Sequence, residues 1–113
     1  MPTPAEELRA TAQKLLEHAD AAEAKRPGPW SAGAAGSVIS PRDGGVDYVT
    51  GHTIPDGPEI ARYIALMDPN VGRALADWLD SEAARLTAAV HPDRHETYGA
   101  AALAVARALN GDR

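Results

Sequence analysis

The chain is 113 residues long, the size of one ordinary domain, with 11 Lys and Arg against 16 Asp and Glu and a formal charge of −5. Without Cys there is no disulfide framework, no thiolate metal site and no cysteine nucleophile. No apolar run approaches the ~20 residues of a membrane span, and the acidic start MPTPAEELRA lacks the regions of a secretory signal, so the expected setting is cytoplasmic.

Of the hydrophobic residues, 24 are alanine, and there is no phenylalanine. The core is therefore thin for a chain of this length, and a partner surface is one way to add buried area. Residues 43–82 hold eight acids against two bases. That acidic middle repels phosphate, so direct nucleic-acid binding is not expected. No repeat of solenoid period is visible.

In chain order, Thr3 is a good N-cap, Pro4 suits the first helical position, and Glu6 completes a Thr-x-x-Glu capping box. Leu8, Ala12, Leu15, Leu16, Ala19 and Ala22 come next at helical spacing, and Pro27-Gly28-Pro29 ends the helix near residue 26. Trp30 is expected to anchor the β segment to the helices. Residues 30–53 lose helical periodicity. Ser37–Ser40 and Val46–Thr50 read as strands flanking Pro41-Arg42-Asp43-Gly44-Gly45, a hairpin turn, with Trp30-Ser31 as a third short strand.

Asp56 or Gly57 then caps a short helix from Pro58, with Ile60, Ile64, Met67 and Tyr63 expected inward. Asp68-Pro69 opens a long helix to about Val90. Its expected stripe is Val71, Leu75, Trp78, Leu79, Glu82, Leu86 and Val90, with Arg73 and Asp77 as an i,i+4 pair. His91-Pro92 stops it. A last helix starts between Asp93 and Tyr98, with Asp93-x-x-Glu96 as a capping box. Tyr98, Ala102, Leu103, Val105, Ala106 and Leu109 make its inner face before Asn110-Gly111.

The expected fold is α+β and mostly helical: an N-terminal helix (1–26), a short β-hairpin segment (30–53), then three helices (58–110) packed as a small bundle, all in a single domain over 1–113. Gly28-Pro29-Trp30, the Ile64 to Leu79 block and Ala102 to Leu109 resemble small uncharacterised proteins of actinobacteria and their phages. The abundance of Ala, and of Arg over Lys, fits that setting. The resemblance implies a phage, prophage or accessory gene and no catalytic residues.

Four residues carry the strongest pattern for chemistry. His91, Asp93, His95 and Glu96 supply nitrogen and oxygen donors within six positions, enough in type for a divalent metal. Pro92 puts the two histidines at a helix boundary, and no glutamate lies between them as in a zinc-protease helix. The plainer reading is a solvated turn with a capping acid. His18 and His52 stand alone. Ser31, Ser37, Ser40 and Ser81 sit in no Gly-x-Ser-x-Gly elbow, and Gly33 to Gly36 lacks the Lys-Ser/Thr of a phosphate loop, so it reads as a connection.

The remaining pattern is a surface: Trp78 beside Asp77, Asp80 and Glu82, with Arg73 a turn earlier. Tryptophan is enriched at binding hot spots, although its place on the stripe also suits the core. The expected function is a non-enzymatic protein-interaction module that binds a host protein or a second copy of itself and needs no cofactor. A metal-binding domain or metal-dependent enzyme built on His91 to Glu96 is the alternative, and an acidic nucleic-acid mimic a weaker one.

Overall fold

Local sequence signals set the element boundaries in the computed structural model, which describes residues 1–33, 36–50 and 58–111. The elements are α1 (Pro4–Lys25), β1 (Ser31–Ala32), β2 (Val38–Arg42), β3 (Gly45–Tyr48), α2 (Pro58–Leu66), α3 (Pro69–Ala89), a 3-10 turn (Pro92–Arg94), α4 (His95–Tyr98) and α5 (Ala100–Leu109). The fold is α+β and mostly helical, in the expected order. Contacts divide the chain into two compact units. A terminal unit holds Met1–Leu16 and Ala74–Arg113, and an inner unit holds Glu17–Arg73.

In the terminal unit, the capping box closes α1 as the sequence requires. The Glu6 amide donates to Thr3 Oγ1 and the Thr3 amide to Glu6 Oε1, each at 3.2 Å. Ala5, Leu8 and Ala12 of α1 pack with Ala76, Leu79, Ala83 and Leu86 of α3 and with Ala102, Leu103 and Ala106 of α5. Alternating leucine with alanine lets large and small side chains interdigitate. The Arg107 guanidinium forks onto both oxygens of Glu7 (2.9 and 3.2 Å) and also reaches Glu96, tying α5 to α1 and α4.

The stripe on α3 differs from the expected one. Ala76 and Ala83 are buried where Trp78 and Glu82 were expected. The buried stripe runs Ala76, Leu79, Ala83 and Leu86, and its alanines allow close approach of α1 and α5. The last helix is also broken: α4 and α5 meet at Gly99. A Cβ there would lie 2.8 Å from both the His95 carbonyl oxygen and Leu86 Cδ1. Only glycine lets the chain turn against Leu86. Tyr98 and Leu109, expected inward, are exposed.

In the inner unit, an antiparallel sheet of order β1-β2-β3 is covered on one face. The hairpin is tighter than expected. Arg42 pairs with Gly45 and Pro41 with Val46, so the turn is Asp43-Gly44 alone, with Gly44 at φ 78°. Pro41 is tolerated inside β2 because β1 pairs only with Val38 and Ile39. Val38 and Ser40 are buried, Val49 joins their core, and Val46 and Tyr48 of the opposite face are exposed. Arg73, expected beside Asp77, instead donates to Asp20 at 3.0 Å and to Asn70. The expected cap of α2, Asp56 or Gly57, lies outside the described residues, as does His52.

Candidate functional site

Helix α2 has two apolar faces, and the sheet selects the smaller one. Ala61 and Ala65, four residues apart, lie against Val38 with Trp30, Val49 and Ile64 around them. Two methyl side chains make a flat surface on which a helix approaches a sheet closely. The larger side chains then point out: Ile60 is 43% exposed, Tyr63 68%, Leu66 68% and Met67, just past the helix, 43%. This reverses the expectation for Ile60, Tyr63 and Met67. Large apolar residues at positions 60, 63, 66 and 67 form one outward patch of the kind that marks recognition surfaces.

Beside the patch runs a groove of about 390 Å³ with Trp30, Ala32, Ala65, Leu66 and Val71 as apolar walls and with Arg62 and Asp68 on its lining. Its geometry starts from Asp68. The Val71 amide donates to Asp68 Oδ1 at 3.1 Å, capping α3, and the Trp30 amide donates to Oδ2 at 3.2 Å. The Trp30 indole N–H donates to the Arg26 carbonyl at 2.7 Å. These two bonds fix the Trp30 ring as a wall, as its expected anchoring role requires. Asp68 is buried with both oxygens engaged. Arg62 is exposed and forms no ion pair among the described residues.

The residues expected to form an interaction surface stand differently. Asp77 and Asp80 are exposed and unpaired among the described residues. Trp78 is 38% exposed, at the edge of the α3 stripe rather than in the core. Glu82 is held by Arg85 through two bonds of 2.9 and 3.0 Å. That hydrogen bonding keeps its carboxyl below the usual glutamate range. Arg73 serves Asp20.

The four candidate metal ligands diverge. His95 is buried and its Nε2–H donates to the Val90 carbonyl at 2.8 Å, closing the end of α3. Glu96 reaches Arg107 at 3.2 Å. His91 and Asp93 are largely exposed, and the Asp93 amide donates to His91 Nδ1, so His91 caps the 3-10 turn; the expected Asp93–Glu96 capping box does not form, because α4 follows Arg94 with no side-chain cap. Among the described residues no three His, Asp or Glu side chains group as a metal site requires. His18 is exposed. Ser40 is buried and its hydroxyl donates to the Pro27 carbonyl. Gly33 and Gly36 turn β1 back toward β2 through the Gly33 amide and Ser37 carbonyl.

A second groove, of about 380 Å³, lies in the terminal unit, with Glu6, Arg9, Thr87 and His95 among its lining. Its polar groups hold the fold. Glu6 caps α1, Arg9 donates to the Thr87 hydroxyl at 3.0 Å, and Thr87 donates to the Ala83 carbonyl. His95 holds Val90. Of the two grooves, the one beside α2 is the one whose cation has no such engagement.

Three features of this site were not expected from the sequence: the outward patch of α2, the place of Arg62 and the Asp68–Trp30 bond. The signal for the first was present. Ala61 and Ala65 repeat at helical spacing as regularly as Ile60, Ile64 and Met67.

Comparison of the chain with protein-family models, with curated proteins and with solved structures gives no match. The resemblance to actinobacterial and phage proteins therefore rests on the sequence motifs alone. No helix among the described residues is long and apolar enough to cross a membrane.

Proposed function

We propose that this chain is a non-catalytic protein-interaction module whose contact surface is the outward face of α2. The phage or accessory-gene setting suggested by its motifs is part of the same proposal. One observation carries the reading: α2 buries its alanines and exposes Ile60, Tyr63, Leu66 and Met67. Solvent gives no reason to place four large apolar side chains on one helix face, whereas a protein partner does. The surface expected from sequence keeps Trp78, Asp77 and Asp80 exposed; α2 is preferred to it because Glu82 and Arg73 are engaged within the fold.

The test is a photo-crosslinking scan in the natural host cells. A benzophenone side chain is placed at position 63 or 67 and, as controls, at exposed positions 25 and 84. The expected result is one discrete adduct, with another protein or a second copy, from 63 and 67 alone. No adduct, or the same adducts from all four positions, overturns the reading.

A further inference from the structure

We infer that the groove beside α2 receives the C-terminal residue of a partner protein, an apolar side chain against Trp30 and Leu66 and its carboxylate on Arg62. This rests on the reading of α2 as a contact surface and specifies the chemistry of the partner.

The apolar half of the groove is a preformed wall. Trp30 is held by hydrogen bonds from both its amide and its indole nitrogen, so its ring meets a ligand without first being ordered, which lowers the entropic cost of binding. Leu66 stands 68% exposed at the same groove. The charged half is a difference between two lining residues. The Asp68 carboxylate is engaged by the Val71 and Trp30 amides, whereas the Arg62 guanidinium forms no ion pair among the described residues. The groove therefore offers a guanidinium with open donors beside a carboxylate whose acceptor oxygens are already taken, and a ligand anion is what pairs with Arg62. A guanidinium matches a carboxylate with two parallel hydrogen bonds.

Two features favour a chain terminus over other carboxylates. A groove of about 390 Å³ takes one large residue, and only at a C-terminus do an apolar side chain and a carboxylate share one residue. Ala32 of β1, an edge strand of the sheet, lines the same groove, so an entering peptide backbone passes a strand edge able to pair with it.

The experiment uses the full chain with Trp78→Phe, which leaves Trp30 as the sole tryptophan reporter. Its fluorescence is followed during titration with acetyl-Gly-Ser-Gly-Ser-Leu bearing a free carboxylate, with the same peptide as its C-terminal amide, and with 4-methylpentanoic acid. The expected result is saturable change with the free peptide, at least about tenfold weaker binding of the amide, as for loss of one charge-assisted pair, and no response to the small acid. In Arg62→Gln, checked for an unchanged circular dichroism spectrum, the two peptides bind alike. Equal binding of amide and acid peptides to the unsubstituted groove, discrimination that survives Arg62→Gln, or no binding of either peptide overturns the proposal. Binding of the small acid as tightly as the peptide also overturns it, by making the groove a small-molecule site. Crosslinking from position 63 that persists when these titrations fail leaves the contact surface standing without the groove. Peptide binding without crosslinking does the reverse.

Discussion

The Trp30 amide and the Asp68 carboxylate meet at 3.2 Å across 38 residues of sequence, and the same carboxylate caps α3 through the Val71 amide. One buried side chain thus starts a helix and fixes the wall of the groove. Asp68→Ala removes the cap, which costs about 1 kcal/mol, and leaves the Trp30 amide unpaired, for about 1–3 kcal/mol more. Urea unfolding should show a loss of about 2–4 kcal/mol with a red-shifted tryptophan emission. Asp68→Asn, which keeps one acceptor oxygen and puts an NH2 donor in place of the other, should fall between the natural chain and Asp68→Ala. A loss below roughly 0.5 kcal/mol for Asp68→Ala, the level of an ordinary surface change, would show that the carboxylate joins nothing.

Gly99 is the second structural commitment. Its missing side chain leaves room for Leu86 and the His95 carbonyl at distances no Cβ tolerates. Gly99→Ala should destabilise by about 1–3 kcal/mol through overpacking. The penalty should shrink when Leu86→Ala is already present, because the two share one space. Additive losses in that double-mutant cycle would place the strain elsewhere.

Acid should weaken the fold through Glu6 and Glu82. The Thr3 hydrogen bonds lower the Glu6 pKa, and the Arg85 hydrogen bond lowers that of Glu82, from the ordinary 4.5. A depressed folded-state pKa stabilises above the unfolded value and loses that contribution as pH falls through the folded value. Melting temperature should therefore drop more steeply below pH 4.5 for the natural chain than for Glu6→Gln with Glu82→Gln. Both carboxylates reach solvent, so added salt should shrink the difference. Parallel melting curves from about pH 7 to about pH 3, a range that spans ordinary carboxylate titration, would remove these two groups as a source of acid sensitivity.

The two faces of α2 should respond oppositely to substitution. Ala61→Leu inserts a side chain where the helix meets Val38 and should cost about 1–3 kcal/mol. Tyr63→Ser changes an exposed position and should stay within about 0.5 kcal/mol. Thermal unfolding of the two variants checks the orientation of the helix. A reversed order would mean that the large side chains face the sheet.

The range of each interaction decides how legible it was in the sequence. Caps and turns are local, so Thr3 with Glu6, Asp68 with Val71, and Asp43-Gly44 were readable from neighbouring residues. Even there a boundary moved, because Pro41 and Arg42 extend β2 past Ile39, the residue opposite which β1 begins. Helix orientation was not readable in the same way. On α2 both Ile60-Ile64-Met67 and Ala61-Ala65 satisfy helical spacing, and the choice belongs to the space over Val38. The same holds for α3, where Ala76 and Ala83 displaced Trp78 and Glu82. Long-range partners were equally hidden. Asp20 lies 53 residues from the Arg73 it binds, and nothing in the run His91 to Glu96 tells that His95 turns inward to Val90 while Glu96 turns to Arg107.

The proposed site of recognition is the outward face of α2, and Tyr63→Asp with Leu66→Asp in one chain tests that placement most directly. Thermal unfolding is measured together with crosslinking from a benzophenone at position 67. The expected outcome is a melting temperature close to that of the natural chain and loss of the adduct. A variant that fails to fold would place these side chains in the core, and a folded variant that still forms the adduct would place recognition elsewhere; either result contradicts a contact surface on α2.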